Sequence, residues 1–308
     1  MAECTLCPRQ CGADRALGEL GFCGESNRIT VSRASLHMWE EPPISGARGS
    51  GTIFFCGCNL KCVFCQNRVI SSGGGVRREL NADELSELML ELEAAGAHNI
   101  NLVTPTHFSD SIALSLEQVR HKLKIPIVYN SSGYESLDAL KRLDGLVDVY
   151  LPDFKYASPD LAKKYSSAPD YPEVALAAVS EMFRQVGECL FDDGGLMKKG
   201  LIVRHLVLPA CRHDSMNVLS LIADTLPVKS VRLSLMSQYT PEFALTCEYK
   251  NLHRKLTSFE YNSVLAHAES LGFDGYFQAL SSASSQYTPN FEEDADFIQG
   301  GTFEECSP

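Results

Sequence analysis

The sequence predicts an α/β protein: a partial (β/α)6 TIM-like barrel over residues 51–280, preceded by an irregular cysteine-rich extension over residues 1–50. Three observations predict it. From residue 51 onward, short apolar, β-prone runs alternate with stretches of helical periodicity, the pattern of parallel βαβ units. About six such units fit into roughly 230 residues, which suits a barrel or partial barrel better than a small open sheet. Before residue 51 the alternation is absent, Gly and Pro interrupt the chain often, and cysteines crowd together.

The elements follow in order. Residues 51–57 read as a strand leading into a cysteine loop. Asn81 caps the next helix, whose Leu85, Leu88, Met89 and Leu92 recur at i, i+3, i+4 and i+7 as one apolar face. Residues 99–104 read as a strand, the stretch to Leu123 as a helix, 125–130 as a strand, 136–143 as a helix and 147–152 as a strand. A helix at 173–186, a strand at 201–208, a helix at 215–225, a strand at 230–236 and a helix at 258–271 complete the series. The segment 188–200, with Asp192-Asp193-Gly194-Gly195, is expected to be a loop, and residues 281–308 a Ser-rich, then acidic, mobile tail.

Composition excludes several classes. With 308 residues, 44% of them hydrophobic and 21% charged, the chain can bury one barrel-sized core or two smaller ones. No apolar stretch approaches the roughly 18–20 residues that span a bilayer. The amino terminus has neither the basic nor the apolar region of a secretory signal, so a cytoplasmic location is expected. A net charge of −12 argues against nucleic acid as the main ligand. Yet every charged residue between positions 60 and 78 is basic: Lys61, Arg68, Arg77 and Arg78. Two readings stay open for them, a solvated loop and a docking patch for an acidic electron carrier.

Twelve cysteines in a reducing compartment are not a disulfide framework, and eight of them fall in the first 65 residues. Clustered thiols of this kind read as metal or cluster ligands. Cys189, Cys211, Cys247 and Cys306 stand alone and read as small hydrophobes or inert surface residues. The central motif is Cys58-x3-Cys62-x2-Cys65, expected by chance only ~0.02 times in this composition. One tight loop can aim three sulfurs at one small cluster. A [4Fe–4S] cube usually takes four thiolates, so three leave one iron open for a ligand. Structural zinc is the competing reading, with Cys56 as its fourth thiolate.

Polar residues gather where a βα barrel keeps its reactive groups, at the carboxyl ends of strands. Thr104-Pro105-Thr106-His107, Asn130-Ser131-Ser132-Gly133, Asp153 with Lys155, Arg204-His205 and Gln238-Tyr239 each follow or sit within a different expected strand. Asp153 and Lys155 are two apart and share one face of an extended chain, either as a mutual ion pair or as complements to the two ends of an amino acid. Arg204 alternates with Leu206 and Leu208, so its charge is expected inside the barrel, where a bound anion offsets its burial.

The run at residues 54–67, Phe-Phe-Cys-Gly-Cys-Asn-Leu-Lys-Cys-Val-Phe-Cys-Gln-Asn, resembles the radical S-adenosylmethionine (SAM) signature, in the branch related to pyruvate formate-lyase activating enzymes. Cys4-Thr-Leu-Cys7-Pro-Arg-Gln-Cys11-Gly, Leu-Pro-Asp-Phe-Lys-Tyr at 151–156 and Val-Arg-His-Leu-Val-Leu-Pro at 203–209 share in the resemblance, which covers almost the whole chain. The resemblance implies that Cys58, Cys62 and Cys65 hold a [4Fe–4S] cluster. Its open iron would chelate the methionine end of SAM, and an electron from a flavodoxin- or ferredoxin-type donor would yield a 5′-deoxyadenosyl radical. That radical would abstract hydrogen from a glycyl-radical enzyme, or from a small molecule or peptide modified directly. Asp153 and Lys155 would help hold SAM, and Arg204 would meet its carboxylate. The candidate cofactor-binding set is thus Thr104, Thr106, His107, Asn130, Asp153, Lys155, Arg204 and Gln238.

There are departures. The superfamily's Gly-Gly-Glu element is missing, and Thr104-Pro105-Thr106-His107 takes its place, so hydroxyl, carbonyl or imidazole groups would have to substitute. Cys56 stands where Ser or another small residue is usual and reads as a buried small side chain. Cys4, Cys7, Cys11 and Cys23 supply four thiols within twenty residues, a set absent from short activating enzymes. Zinc, an auxiliary cluster and ordinary thiols all remain open for it.

Overall fold

In the computed structural model, which describes residues 3–282 together with Pro289 and Phe291, the alternating apolar runs build one sheet of ten strands. In chain order these are β1 (Ile29–His37), β2 (Ser50–Phe55), β3 (Arg78–Leu80), β4 (Ile100–Val103), β5 (Ile127–Ser131), β6 (Val149–Pro152), β7 (Leu190–Phe191), β8 (Met197–Leu206), β9 (Arg232–Met236) and β10 (Gly275–Phe277). They lie side by side in the order β10-β9-β8-β6-β5-β4-β2-β1-β3, with β7 paired to β8. From β2 through β10 that path is parallel throughout, whereas β1 runs antiparallel to both β2 and β3. The six expected strands are β2, β4, β5, β6, β8 and β9, and the sheet they form is open, as a partial barrel requires.

Helices fill the connections: α1 (Pro42–Ser45), α2 (Arg68–Ser71), α3 (Ala82–Ala94), α4 (Ser109–Val119), α5 (Leu137–Arg142), α6 (Pro159–Ser166), α7 (Tyr171–Val186), α8 (Arg212–Thr225) and α9 (Ser258–Ser270). Asn81 caps α3 as expected: its side chain accepts from Glu84 N at 2.9 Å, and Glu84 returns the bond to Asn81 N at 2.7 Å. Outward-facing strand residues such as Leu102, Tyr129, Tyr150, Leu201 and Val203 join the helices in the main core. Inward-facing Val128, Val149, Leu151 and Ile202 form a second, smaller cluster with Ile44 of α1. Strand period therefore sorts the side chains. Val128, Leu151 and Ile202 pack around α1 inside the barrel, and the inward residues that follow them, Asn130, Asp153 and Arg204, border an open cavity.

The extension departs from the irregular segment expected for residues 1–50. Its β1 is a nine-residue strand that pairs with β2 from Val31↔Phe55 to His37↔Ser50. A register shift between Val31 and Arg33 breaks the apolar alternation there, so the strand does not read as one. The segment 188–200 is a hairpin rather than a plain loop: β7 returns into β8 through a turn in which Asp192 Oδ1 accepts from Gly194 N and Leu196 N. The expected tail over 281–308 lies outside the described residues, apart from 281–282, Pro289 and Phe291. Phe291 stacks edge-on against Phe54.

Candidate active site

After β2, Gly57 turns the chain at φ +78, a left-handed conformation that glycine adopts without strain. Cys58, Cys62 and Cys65 follow on a loop tied down from several sides. Buried Asn59 donates to Tyr134 O at 2.7 Å, Val63 N donates to Tyr165 O at 2.9 Å, and Arg9 Nε of the extension donates to Asn59 O at 2.8 Å. All three cysteines border one cavity of about 310 Å³. Burial pushes the Cys58 thiol up to about 12, with Cys62 and Cys65 as further neighbours. Burial also raises Cys62, against the nearby Lys155 ammonium. Such thiols ionise readily only when a positive charge joins them. Cys56 is wholly buried and absent from the cavity lining, in keeping with a small core side chain.

Every parallel strand contributes to the cavity. β4 brings Val103 and, just beyond it, Thr104; β5 brings Asn130 and Ser131. Asp153 and Lys155 follow β6, β8 carries Arg204 and Leu206, β9 carries Ser234 and Met236 with Gln238 beyond, and β10 adds Tyr276 with Gln278 beyond. Charges form a connected series along this wall. Lys155 Nζ meets Asp153 Oδ2 at 2.5 Å, Arg204 Nε meets Asp153 Oδ1 at 2.9 Å, and Arg204 Nη1 reaches Glu40 Oε2 at 3.4 Å. Asn130 accepts from Arg204 Nη2 at 2.5 Å, and Asn101 donates to Glu40 Oε1 at 2.9 Å. Burial works against the Asp153 carboxylate, but Arg204 and Lys155 together hold it below its ordinary range. Burial raises Glu40 and Glu41, with Arg204 opposing.

Six of the eight cofactor candidates line the cavity: Thr104, Asn130, Asp153, Lys155, Arg204 and Gln238. Thr104 does so at φ +60, a strained backbone for a β-branched residue. Thr106 and His107 are not among the lining residues. Thr106 is buried and donates to Glu135 Oε1 at 2.5 Å. His107 Nε2 bonds Cys56 O at 2.6 Å, and His107 O accepts from Arg15 Nη1 at 2.7 Å. The turn after Thr104 is a short 3-10 helix that carries both side chains away from the interior. Two lining carboxylates lay outside the expected set, Glu40 and Glu41. The one visible signal was an adjacent acidic pair held by Pro42-Pro43.

The sequence model of the radical SAM superfamily matches residues 52–189, which span the cysteine loop and the first parallel strands. The uncharacterized protein MJ0674 of Methanocaldococcus jannaschii is 31% identical over 287 residues, covering 88% of this chain and 76% of that protein. The chain belongs to the radical SAM superfamily. Among solved structures, SuiB of Streptococcus suis bound to precursor peptide SuiA aligns with a TM-score of 0.50 and 13% identity, over 73% of this chain and 48% of SuiB. SuiB bound to S-adenosylmethionine gives a TM-score of 0.50 over 72% and 47%. The chain thus spans about half the length of SuiB, and at this identity the likeness is one of fold.

Membership implies a [4Fe–4S] cluster and SAM. The donor set fits: three half-buried thiols from one loop, at the edge of a cavity large enough to admit a second molecule. Among the described residues, no group of three or more His, Cys, Asp or Glu side chains closes around a single-ion position.

Elsewhere in this radical SAM protein, the extension's cysteines are neighbours. The Sγ atoms of Cys11 and Cys23 both lie 3.3 Å from the place a side chain on Gly21 would occupy. Cys7 has Cys4 and Cys23 as charge neighbours, and burial pushes its thiol to about 11. Of the basic residues expected as a docking patch, Arg77 is engaged with Glu25 at 2.8 Å, while Lys61 and Arg68 are exposed. Among the described residues, no helix is long and apolar enough to cross a membrane.

Proposed function

We propose that Cys58, Cys62 and Cys65 ligate the cluster, and that the enzyme cleaves SAM reductively to abstract hydrogen from a substrate held in the same cavity. The observation that carries this reading is the opening of the three-cysteine loop onto a cavity to which every parallel strand contributes. When bound there, a reduced [4Fe–4S] cluster supplies the electron that splits the SAM sulfonium into methionine and a 5′-deoxyadenosyl radical. The chain's own residues orient the reactant. Lys155 is the cation beside Cys62, suited to a carboxylate, and Asp153 is the anion next to it, suited to an ammonium. Leu60, Phe64, Val103, Leu206 and Met236 give the cavity apolar walls that exclude water from a radical.

Direct modification of a small molecule or peptide fits better than activation of a glycyl-radical enzyme. Beyond the pair offered to SAM, the inner wall carries two further carboxylates, Glu40 and Glu41, which suit a charged group of a substrate. Electrons would come from a flavodoxin- or ferredoxin-type donor in the reducing cytoplasm, docking near exposed Lys61 and Arg68. Cys4, Cys7, Cys11 and Cys23 are read as a structural metal or auxiliary-cluster site, supported by the space Gly21 leaves for two of the sulfurs.

The test is anaerobic reconstitution followed by dithionite and SAM. The wild type should release 5′-deoxyadenosine, and a Cys58→Ala/Cys62→Ala/Cys65→Ala variant should release none. Release by the triple variant would overturn the reading. A stable organic radical on a partner protein, seen by electron paramagnetic resonance, would favour the glycyl version instead.

A further inference from the structure

Inside the cavity the carboxylates outnumber the cations. Glu40, Glu41 and Asp153 face only Arg204 and Lys155 among the charged lining residues. Lys155 pairs with Asp153, and Arg204 is divided among Asp153, Asn130 and Glu40. Glu41 receives a direct bond from neither. The residue is 8% exposed, and its Oε2 is enclosed with no hydrogen-bond partner. Beside Glu40, Asn101 has given its amide away and keeps a buried Oδ1 that is also unpartnered. In either protonation state the Glu41 oxygen lacks a mate, and a buried acceptor left so costs free energy until something donates to it.

We infer that Glu40 and Glu41 form the recognition floor for a cationic, donor-rich group of the substrate, an amine or a guanidinium. The inference rests on the radical SAM reading and names the substrate class for it. Position separates the floor from the SAM end. The cysteines have Lys155 and Asp153 as their charged neighbours, whereas Glu41 has Arg204 and Glu40. The segment that delivers Glu41 is fixed from below, because its carbonyl accepts from Ile44 N at 2.8 Å and Ser45 N at 3.1 Å, and Ile44 is locked into the inner apolar cluster. A cation seated there would face the carboxylates of Glu40 and Glu41 and bring the donor that Glu41 lacks.

Isothermal titration of the anaerobic, reconstituted holoprotein, saturated with SAM, tests this with three probes: agmatine, n-pentylamine and valerate. Agmatine and pentylamine should bind without displacing SAM, and valerate should not bind. Glu41→Gln should weaken the amines by about tenfold, the worth of one charge-assisted hydrogen bond. The comparison of amine with carboxylate needs no variant, so a misfolded Glu41→Gln chain would not rescue the claim. Failure of both amines to bind, equal binding of valerate, an unchanged amine affinity in Glu41→Gln, or competition with SAM would each overturn it. The cluster's visible absorption and uncoupled 5′-deoxyadenosine release report separately on the parent reading.

Discussion

Buried ion pairs stabilise weakly but position strongly, because removing one partner leaves the other charged and dry. The Lys155–Asp153–Arg204–Glu40 series is of this kind, with side chains only 10–18% exposed. A different buried carboxylate gives the clearest pH signature. Glu135 is 2% exposed, accepts from Thr106 and Tyr129, and is pushed by burial up to about 7. The folded protein therefore holds a proton that the unfolded chain, titrating near 4.5, has already released. The associated stability is full below the lower value and is lost as pH rises through the upper one, about 3 kcal/mol in all. Urea midpoints should show the wild type losing that much between acidic and mildly alkaline pH relative to Glu135→Gln, whose amide does not titrate; parallel curves would contradict the assignment. At this scale, the loop cysteines and six rim residues were legible because their chemistry is unusual at strand ends. Glu40 and Glu41 were not, since carboxylates in a segment without apolar period read as solvated.

Among the elements, the extension and the cysteine loop meet at one backbone contact. Cys58 N donates to Cys23 O at 3.2 Å, and a Cβ on Gly57 would fall 2.8 Å from that same oxygen and 2.5 Å from Glu25 Cγ. Gly57→Ala should cost about 1–2 kcal/mol for its left-handed backbone alone, with the clash added. Thermal melting should drop, and iron incorporation should fall with it because the loop is displaced. A variant that melts and binds iron like the wild type would show that the contact is unimportant. The parallel strands and most of the helices were legible from alternation and from caps such as Asn81. β1 was hidden by its register shift, and β3 and β10, three residues each, are too short to show a period. In α6, a Ser-Pro start and two lysines masked the helix, although Ser158 caps it.

For the whole molecule, the extension is a wedge rather than an appendage. Arg9 reaches the carbonyls of Asn59 and Ser167, and Arg15 reaches that of His107, so the cysteine-rich turn braces both the loop and the end of β4. Replacing Cys4, Cys7, Cys11 and Cys23 by Ser should remove bound metal beyond that of the loop and lower the melting temperature. Metal analysis that is identical before and after replacement would contradict a site there. The open parallel sheet was legible in outline, but its lower closure was not. α1 is only four residues long, and its role depends on Ile44 meeting strands distant in sequence. The central claim is that three thiolates hold a cubane with one iron left for SAM. Mössbauer spectra of anaerobic, iron-57-reconstituted protein measure it most directly. They should show cubane iron, with one iron of the cluster altered when SAM is added. Spectra with no cubane iron, or with every iron indifferent to SAM, would contradict it.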